Sequence, residues 1–272
     1  MAGSDSGGGA GIQADLKAFA RCGVHGASAI TAITAQNTLG VEAVLQLPVE
    51  IVLAQVRAVL ADIEVHAVKV GMLGDADTAR AVAQALDGLP PGTPVVVDPV
   101  LVAESGARLL AREAQAALVA EIVPRAGVLT PNLPEARALA GREPAAGRGG
   151  EGEDGEAREL ARALLALGPR AVVLTGGHRA RAVDLYVDAD GGEPVEIEGE
   201  RHPGGAAHGS GCTHSSVLAA QLALGRTPLE AAREARRLAG QAVAQGLRDV
   251  GGGPGPVDVI GLAGARAGGG GS

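Results

Sequence analysis

Short runs of β-branched residues alternate along this chain with longer stretches of helical periodicity, and that alternation restricts the fold more than any other feature. It is the pattern of βα units wound around a mostly parallel sheet. The expected strands are Ala27–Thr34, Val41–Leu47, Ala67–Val70, Pro94–Asp98, Gly127–Thr130 and Ala171–Thr175. Two more, Ala182–Val187 and Pro194–Glu198, flank the turn-forming segment Asp188–Gly192 and read as a hairpin. The expected helices are Ala10–Arg21, Val49–Ile63, Asp75–Leu86, Arg112–Ile122, Pro134–Ala140, Glu156–Leu167, Cys212–Leu224 and Leu229–Leu247. In the second of these, Val52, Val56, Val59, Leu60 and Ile63 recur at the spacing of one helix face.

The chain has 272 residues, of which 46% are hydrophobic, enough for the core of one large α/β domain. Phe19 and Tyr186 are its only aromatic residues, so that core must be built from Ala, Val, Leu and Ile. A net charge of −8 with no compensating basic cluster argues against nucleic acid as a partner. Two cysteines, Cys22 and Cys212, are too few for a disulfide framework. No apolar run approaches the roughly 18 residues that span a bilayer, and no basic-then-apolar signal opens the chain. These features predict a cytoplasmic enzyme without a membrane partner.

A single domain over 1–263 is expected, interrupted by a mobile loop at Gly141–Gly155, which is rich in Gly, Glu and Arg. A glycine-rich tail, 264–272, is expected to be disordered. The beginning departs from the pattern. The segment MAGSDSGGGAG reads as a glycine-rich turn entering a helix, and such turns normally follow a strand. On this reading the first strand of the sheet is missing.

Three glycine-rich segments precede helices: Gly7–Gly11, Gly176–Gly177 and Gly209–Gly211. The last stands out. In His208-Gly209-Ser210-Gly211-Cys212-Thr213-His214, small residues expose backbone N–H groups at a helix start, which makes an anion hole for a transferring phosphoryl group. Cys212 in that first turn has two readings. The helix terminus lowers its pKa and makes it a proton acceptor, or it is one more small buried apolar residue. Asp98 ends a run of Pro-Val-Val-Val, at the carboxyl end of a central strand, where ligands of open α/β sheets bind. Asn132 and Glu135 follow the next strand, and with Asp98 they would suit a hydrated Mg²⁺. Taken alone, each is better read as helix-capping chemistry. Gln36, after an apolar strand, can pair with a heteroaromatic edge or serve a turn. The histidines have no metal-ligand spacing; His178 and His214 adjoin glycine-rich loops, and the other four read as incidental.

Together, AGSDSGGGAGIQADLKAF, ITAITAQNT, KVGML, VVDPV, LTPNLPEA, TGGH and HGSGCTHSS resemble the hydroxymethylpyrimidine/phosphomethylpyrimidine kinases of thiamine biosynthesis, to about Leu247. The resemblance implies a three-layer αβα ribokinase-like sandwich. It implies transfer of phosphate from ATP, with Mg²⁺, to a hydroxymethylpyrimidine and then to its monophosphate, and a homodimer. Gln36 and Asp15 would contact the pyrimidine, with Gly3 and Met72 lining its pocket. Gly209, Ser210, Gly211 and Cys212 would carry the chemistry, Cys212 standing where many relatives place an aspartate base. Asn132, Glu135, Thr175 and Gly177 would meet the nucleotide, and Asp98 and Glu135 the metal. Thr175 and Glu104 stand where lysines are seen in relatives. The alternatives are a pyridoxal or pyridoxine kinase on the same scaffold, and a pyrimidine-binding protein without catalysis.

Overall fold

The computed structural model describes residues 1–101, 112–142, 153–177 and 181–264. Its strands are β1 (Ala2–Asp5), β2 (Ile30–Gln36), β3 (Val41–Gln46), β4 (Val68–Val70), β5 (Val95–Val97), β6 (Val128–Leu129), β7 (Ala171–Leu174), β8 (Val183–Asp188) and β9 (Val195–Glu198). The helices are α1 (Gly11–Arg21), α2 (Val49–Leu60), α3 (Ala76–Asp87), α4 (Arg112–Ala117), α5 (Leu133–Leu139), α6 (Glu153–Leu165), α7 (Ser210–Ala223) and α8 (Pro228–Ala244). α4 runs on through a wider turn, Leu118–Ile122, and a tighter one, Val123–Arg125.

Hydrogen bonding defines the orders β1-β2-β3 and β4-β5-β6-β7-β8-β9. The two sets are joined. The Met1 amine donates to the Lys69 carbonyl at 2.8 Å, and the Gly71 N–H donates to the Met1 carbonyl at 2.9 Å. β1 therefore lies between β2 and β4 in one mixed sheet. The pairs from β4 to β7 are parallel, as is β1 with β2, while β2–β3, β7–β8 and β8–β9 are antiparallel. The hairpin expected from Asp188–Gly192 is β8–β9.

The expectation of a missing first strand does not hold: the turn at Gly7–Gly11 follows β1, which pairs Ala2 with Ile30 and Asp5 with Thr34. Its sequence, AGSD, carries no β-branched residue, so the strand comes from its neighbours' backbone groups and not from local propensity. A second difference concerns the segment read as a mobile loop. Glu153, Asp154 and Gly155 already belong to α6, whose acidic first turn complements the helix dipole. Residues 143–152 of that segment lie outside the described residues, as do Glu104, His178 and 265–272.

Layering follows from the period-2 alternation of the strands. Val95, Val97, Leu129, Val172 and Leu174 face one core, shared with Val52, Val82, Leu118, Leu160 and Leu164 from α2 to α6. Val96, Val128, Val173 and Tyr186 face the other, against Val217, Leu218, Leu222, Ala231 and Leu238 of α7 and α8, with Ala18 of α1. The result is a three-layer αβα sandwich. Each buried Val or Leu contributes about 1.5–3 kcal/mol, and small side chains let the layers approach closely without aromatic residues. Because strand order runs in opposite directions on either side of β1, a crevice opens at the carboxyl ends of the strands there.

Candidate active site

That crevice is a cleft of about 370 Å³, to which β1, β4, β5, β6 and β7 all contribute the residues at their carboxyl ends. Gly3, Met72 and Gln36 are among its lining residues. Gln36 Oε1 accepts a hydrogen bond from Thr34 Oγ1 at 3.1 Å. Its carboxamide nitrogen donates to nothing among the described residues and is available to a ring edge. Asp15 is not a lining residue. It is buried behind the cleft, where Lys69 Nζ lies 2.9 Å from its Oδ1 and Ser216 Oγ donates to the same oxygen at 2.7 Å. Its charge and its Oδ1 oxygen are thus engaged by protein.

The turn into α7 also lines the cleft. The helix begins at Ser210, two residues earlier than the apolar pattern suggests, and Gly209 is its N-cap with φ 84°. The Ser210 N–H bonds to the Ala207 carbonyl and the Thr213 N–H to the Gly209 carbonyl. The N–H groups of Gly211 and Cys212 have no acceptor among the described residues, and both residues line the cleft. Unsatisfied donors at a helix start are an anion site.

The turn is braced by His208, one of the histidines expected to be incidental, together with Asp5. His208 Nε2 lies 2.9 Å from Asp5 Oδ2, both residues being buried. The Asp5 carboxylate also accepts from the N–H groups of Gly7, Gly9 and Ala10. Burial raises the Asp5 pKa, but the His208 contact and the backbone N–H bonds outweigh it and hold the carboxyl below its ordinary range. One carboxylate thus ties the glycine turn after β1 to the turn before α7. A second buried pair shapes the far end of the cleft. His214 Nε2 lies 3.1 Å from Asp184 Oδ2, and the Gly176 N–H donates to Asp184 Oδ1 at 2.7 Å. Arg236 approaches the same carboxylate at 3.7 Å. Thr175 and Gly177 line the cleft beside it, Thr175 bridging to Asn132 across the strand ends.

Cys212 does not have the lowered pKa that its place at a helix start suggests. Burial pushes the thiol up to about 12; Asp98 and Asp15 add to the rise, while Lys69 and the Gly11 N–H oppose it. Two carboxyls behave alike. Asp98 is buried, which raises its pKa despite Lys69 and a 2.9 Å hydrogen bond from Ser215 Oγ. Glu135 is pushed up to about 8 by burial and then by the Asp98 charge, with the Asn132 N–H opposing. Asn132 and Glu135 also form a complete capping box at α5, each side chain accepting the other's N–H at 2.9 Å. Both readings of these residues therefore coexist at one place.

No group of three or more His, Cys, Asp or Glu among the described residues could hold a metal ion. Two carboxyls whose pKa values are raised by burial, Glu135 further by the Asp98 charge, nonetheless favour added positive charge, and Mg²⁺ takes few protein carboxylates beside phosphate and water. The donor set of Asp98 and Glu135 fits that ion. Ala239, Gly240 and Val243 of α8 give the far end apolar surface.

The family model described as phosphomethylpyrimidine kinase matches residues 5–258. The chain is 46% identical over 260 residues to the hydroxymethylpyrimidine/phosphomethylpyrimidine kinase of Rhizobium meliloti, covering 94% of each protein. Its structure is similar to that of phosphomethylpyrimidine kinase from Clostridium difficile, with TM-score 0.73 and 39% identity, covering 86% of this chain and 94% of that one. It is also similar to Bacillus subtilis pyridoxal kinase solved with ADP, with TM-score 0.81 and 34% identity, covering 96% of each chain.

Proposed function

The chain belongs to the phosphomethylpyrimidine kinase family, and from that premise we propose that its cleft transfers the γ-phosphoryl group of ATP to 4-amino-5-hydroxymethyl-2-methylpyrimidine and then to the resulting monophosphate. The protein is a ribokinase-like phosphotransferase of thiamine biosynthesis. No helix among the described residues is long and apolar enough to cross a membrane.

The observation that carries the reading is the pair of N–H groups at Gly211 and Cys212 without acceptors among the described residues, in a cleft that Asp98 and Glu135 also line. Gln36 hydrogen-bonds the pyrimidine edge, and Gly3 and Met72 pack against the ring. The hydroxymethyl oxygen attacks the γ-phosphorus in line, the bond to the bridging oxygen breaks, and ADP leaves. The Gly211 and Cys212 N–H groups receive the charge on the transferring phosphoryl oxygens. Cys212 takes the hydroxyl proton as a thiolate, a minor species given its raised pKa, and turnover accordingly rises with pH through neutrality. Asp98 and Glu135 would hold Mg²⁺, which when bound neutralises phosphate charge. Thr175, Asn132 and Gly177 border the nucleotide phosphates.

A coupled assay for ADP release with the pyrimidine alcohol, its monophosphate and pyridoxal tests the proposal. Turnover on both pyrimidines, with pyridoxal poorer, is the expected result. ADP release with pyridoxal alone would reassign the substrate, and none with any of the three would leave only a binding protein.

A further inference from the structure

We propose that Lys69 is a positioning residue of this site, its buried ammonium acting as the fixed counter-charge for negative charge at the Cys212 turn. The inference rests on the reading of Cys212 as the proton acceptor. Lys69 is the middle residue of β4 (Val68–Val70), and its side chain is 2% exposed. It lines the cleft, while its Nζ is held 2.9 Å from Asp15 on α1. Asp15 is in turn fixed by Ser216 of α7, one helical turn beyond Cys212. Gly71, two residues along on the same face, leaves the room: a Cβ there would stand 2.7 Å from Lys69 Nζ. Three elements and one absent side chain therefore fix a single ammonium.

Stability does not account for this arrangement. Desolvating two ions costs much of what their attraction returns, and apolar residues of similar volume are commonly as stable or more so. The position of the charge does account for it. The charges facing the Cys212 sulfur are Lys69 from β4, Asp98 beyond β5 and Asp15 from α1. Lys69 is the only cation among these three. It remains charged, since Asp15, Cys212 and Asp98 together outweigh the effect of its burial and raise its pKa. Without it, two carboxyls and a developing thiolate would face one another across a poorly solvated gap.

Alkylation of Cys212 by iodoacetamide across pH 7–10, followed by mass spectrometry of the Cys212 peptide, reads the effect without substrate. Only the thiolate reacts. Lys69→Gln keeps a hydrogen bond to Asp15 but loses the charge, and alkylation slows by about tenfold, equivalent to about one pKa unit. Asp15→Asn leaves the ammonium uncompensated, and alkylation becomes faster. Gly71→Ala displaces the ammonium and behaves as Lys69→Gln does. In the coupled assay kcat moves in the same direction as alkylation, with KM for ATP unchanged. A merely structural role gives no such opposition of sign. If Lys69→Gln fails to fold, Gly71→Ala decides in its place: slower alkylation supports the proposal and an unchanged rate overturns it. Unchanged alkylation in the folded variants, or a shift of the same sign in both, overturns the proposal. Because alkylation needs no pyrimidine, the outcome stands apart from the substrate assignment.

Discussion

Replacing Gly209 by Ala should cost both stability and turnover, and the structure sets the size of each loss. Gly209 caps α7 with φ 84°, a conformation that costs an L-residue about 1–2 kcal/mol. A Cβ at this position would also overlap the Gly9 carbonyl oxygen and its carbon. These are backbone atoms in the loop that Asp5 and His208 hold closed, so they cannot swing aside as a side-chain end would. The turn must open instead, moving the Gly211 and Cys212 N–H groups away from the cleft. Loss of one well-placed donor to a developing oxyanion lowers kcat by about 10²–10³. Gly211→Ala supplies the control. It lies one residue into the helix, and its Cβ would meet nothing within 4 Å. Alanine there gains up to about 1 kcal/mol of helix propensity. Thermal melts and the coupled assay on both variants therefore separate a general dislike of side chains at this turn from the specific clash. Gly209→Ala with wild-type melting temperature and kcat would refute the reasoning.

Cys212→Ser keeps ATP and pyrimidine binding but lowers kcat by about 10²–10⁴ and flattens its rise with pH, because a serine hydroxyl does not ionise in that range; wild-type turnover across pH 6 to 9 removes Cys212 as the base. Glu135 binds its proton more tightly folded, with a pKa of about 8 against 4.5, so folding takes up a proton and stability falls as pH climbs between those values. Urea midpoints of the metal-free protein over that range should decline more steeply than those of Glu135→Gln, and parallel curves would contradict the shift. Gln36→Leu leaves a polar ring edge unpaired at about 1–3 kcal/mol, raising KM for the pyrimidine and not for ATP; equal effects on both constants would make Gln36 a turn residue.

The strands on either side of the main core were legible because their alternation is local: Val95, Val96 and Val97 need no partner to declare opposite faces. β1 was not, since AGSD gains its strand geometry from Ile30–Thr34 on one side and Lys69–Gly71 on the other. The anion turn could be read from glycine spacing alone, whereas its brace could not. Asp5 and His208 stand 203 residues apart, and each resembles ordinary turn chemistry in its own segment. The available signals were an aspartate closing the strand before a glycine turn and a histidine opening another. Asp15 and Cys212 likewise depend on distant neighbours. The family resemblance implied a pyrimidine contact for Asp15, and helix position offered an acidic thiol as one reading of Cys212; Lys69 and Ser216 engage the first, and burial raises the pKa of the second. Local sequence specifies which groups are present; long-range packing decides their charge.

The cleft holds two opposite imbalances. Gly211 and Cys212 present N–H groups without acceptors, while Asp98 and Glu135 are carboxyls whose ionisation burial opposes. The carboxyls are a cost to the folded chain because burial opposes their ionisation, whereas the N–H groups of exposed Gly211 and half-buried Cys212 are open to water or to an anion. Neither set relieves the other, because the carboxyls are held by Ser215 Oγ and the Asn132 N–H and accept no bond from the Gly211 or Cys212 N–H among the described residues. A simple anion would satisfy the N–H groups but worsen the repulsion at the carboxyls, and a simple cation would do the reverse. A phosphate ester carrying a divalent cation answers both at once. The same groups therefore discriminate against inorganic phosphate and free Mg²⁺ taken singly. Isothermal titration should find weak binding of either alone and much tighter binding of the two presented together as Mg·ADP, whereas equal affinity for ADP with and without Mg²⁺ would show that the carboxyls play no part.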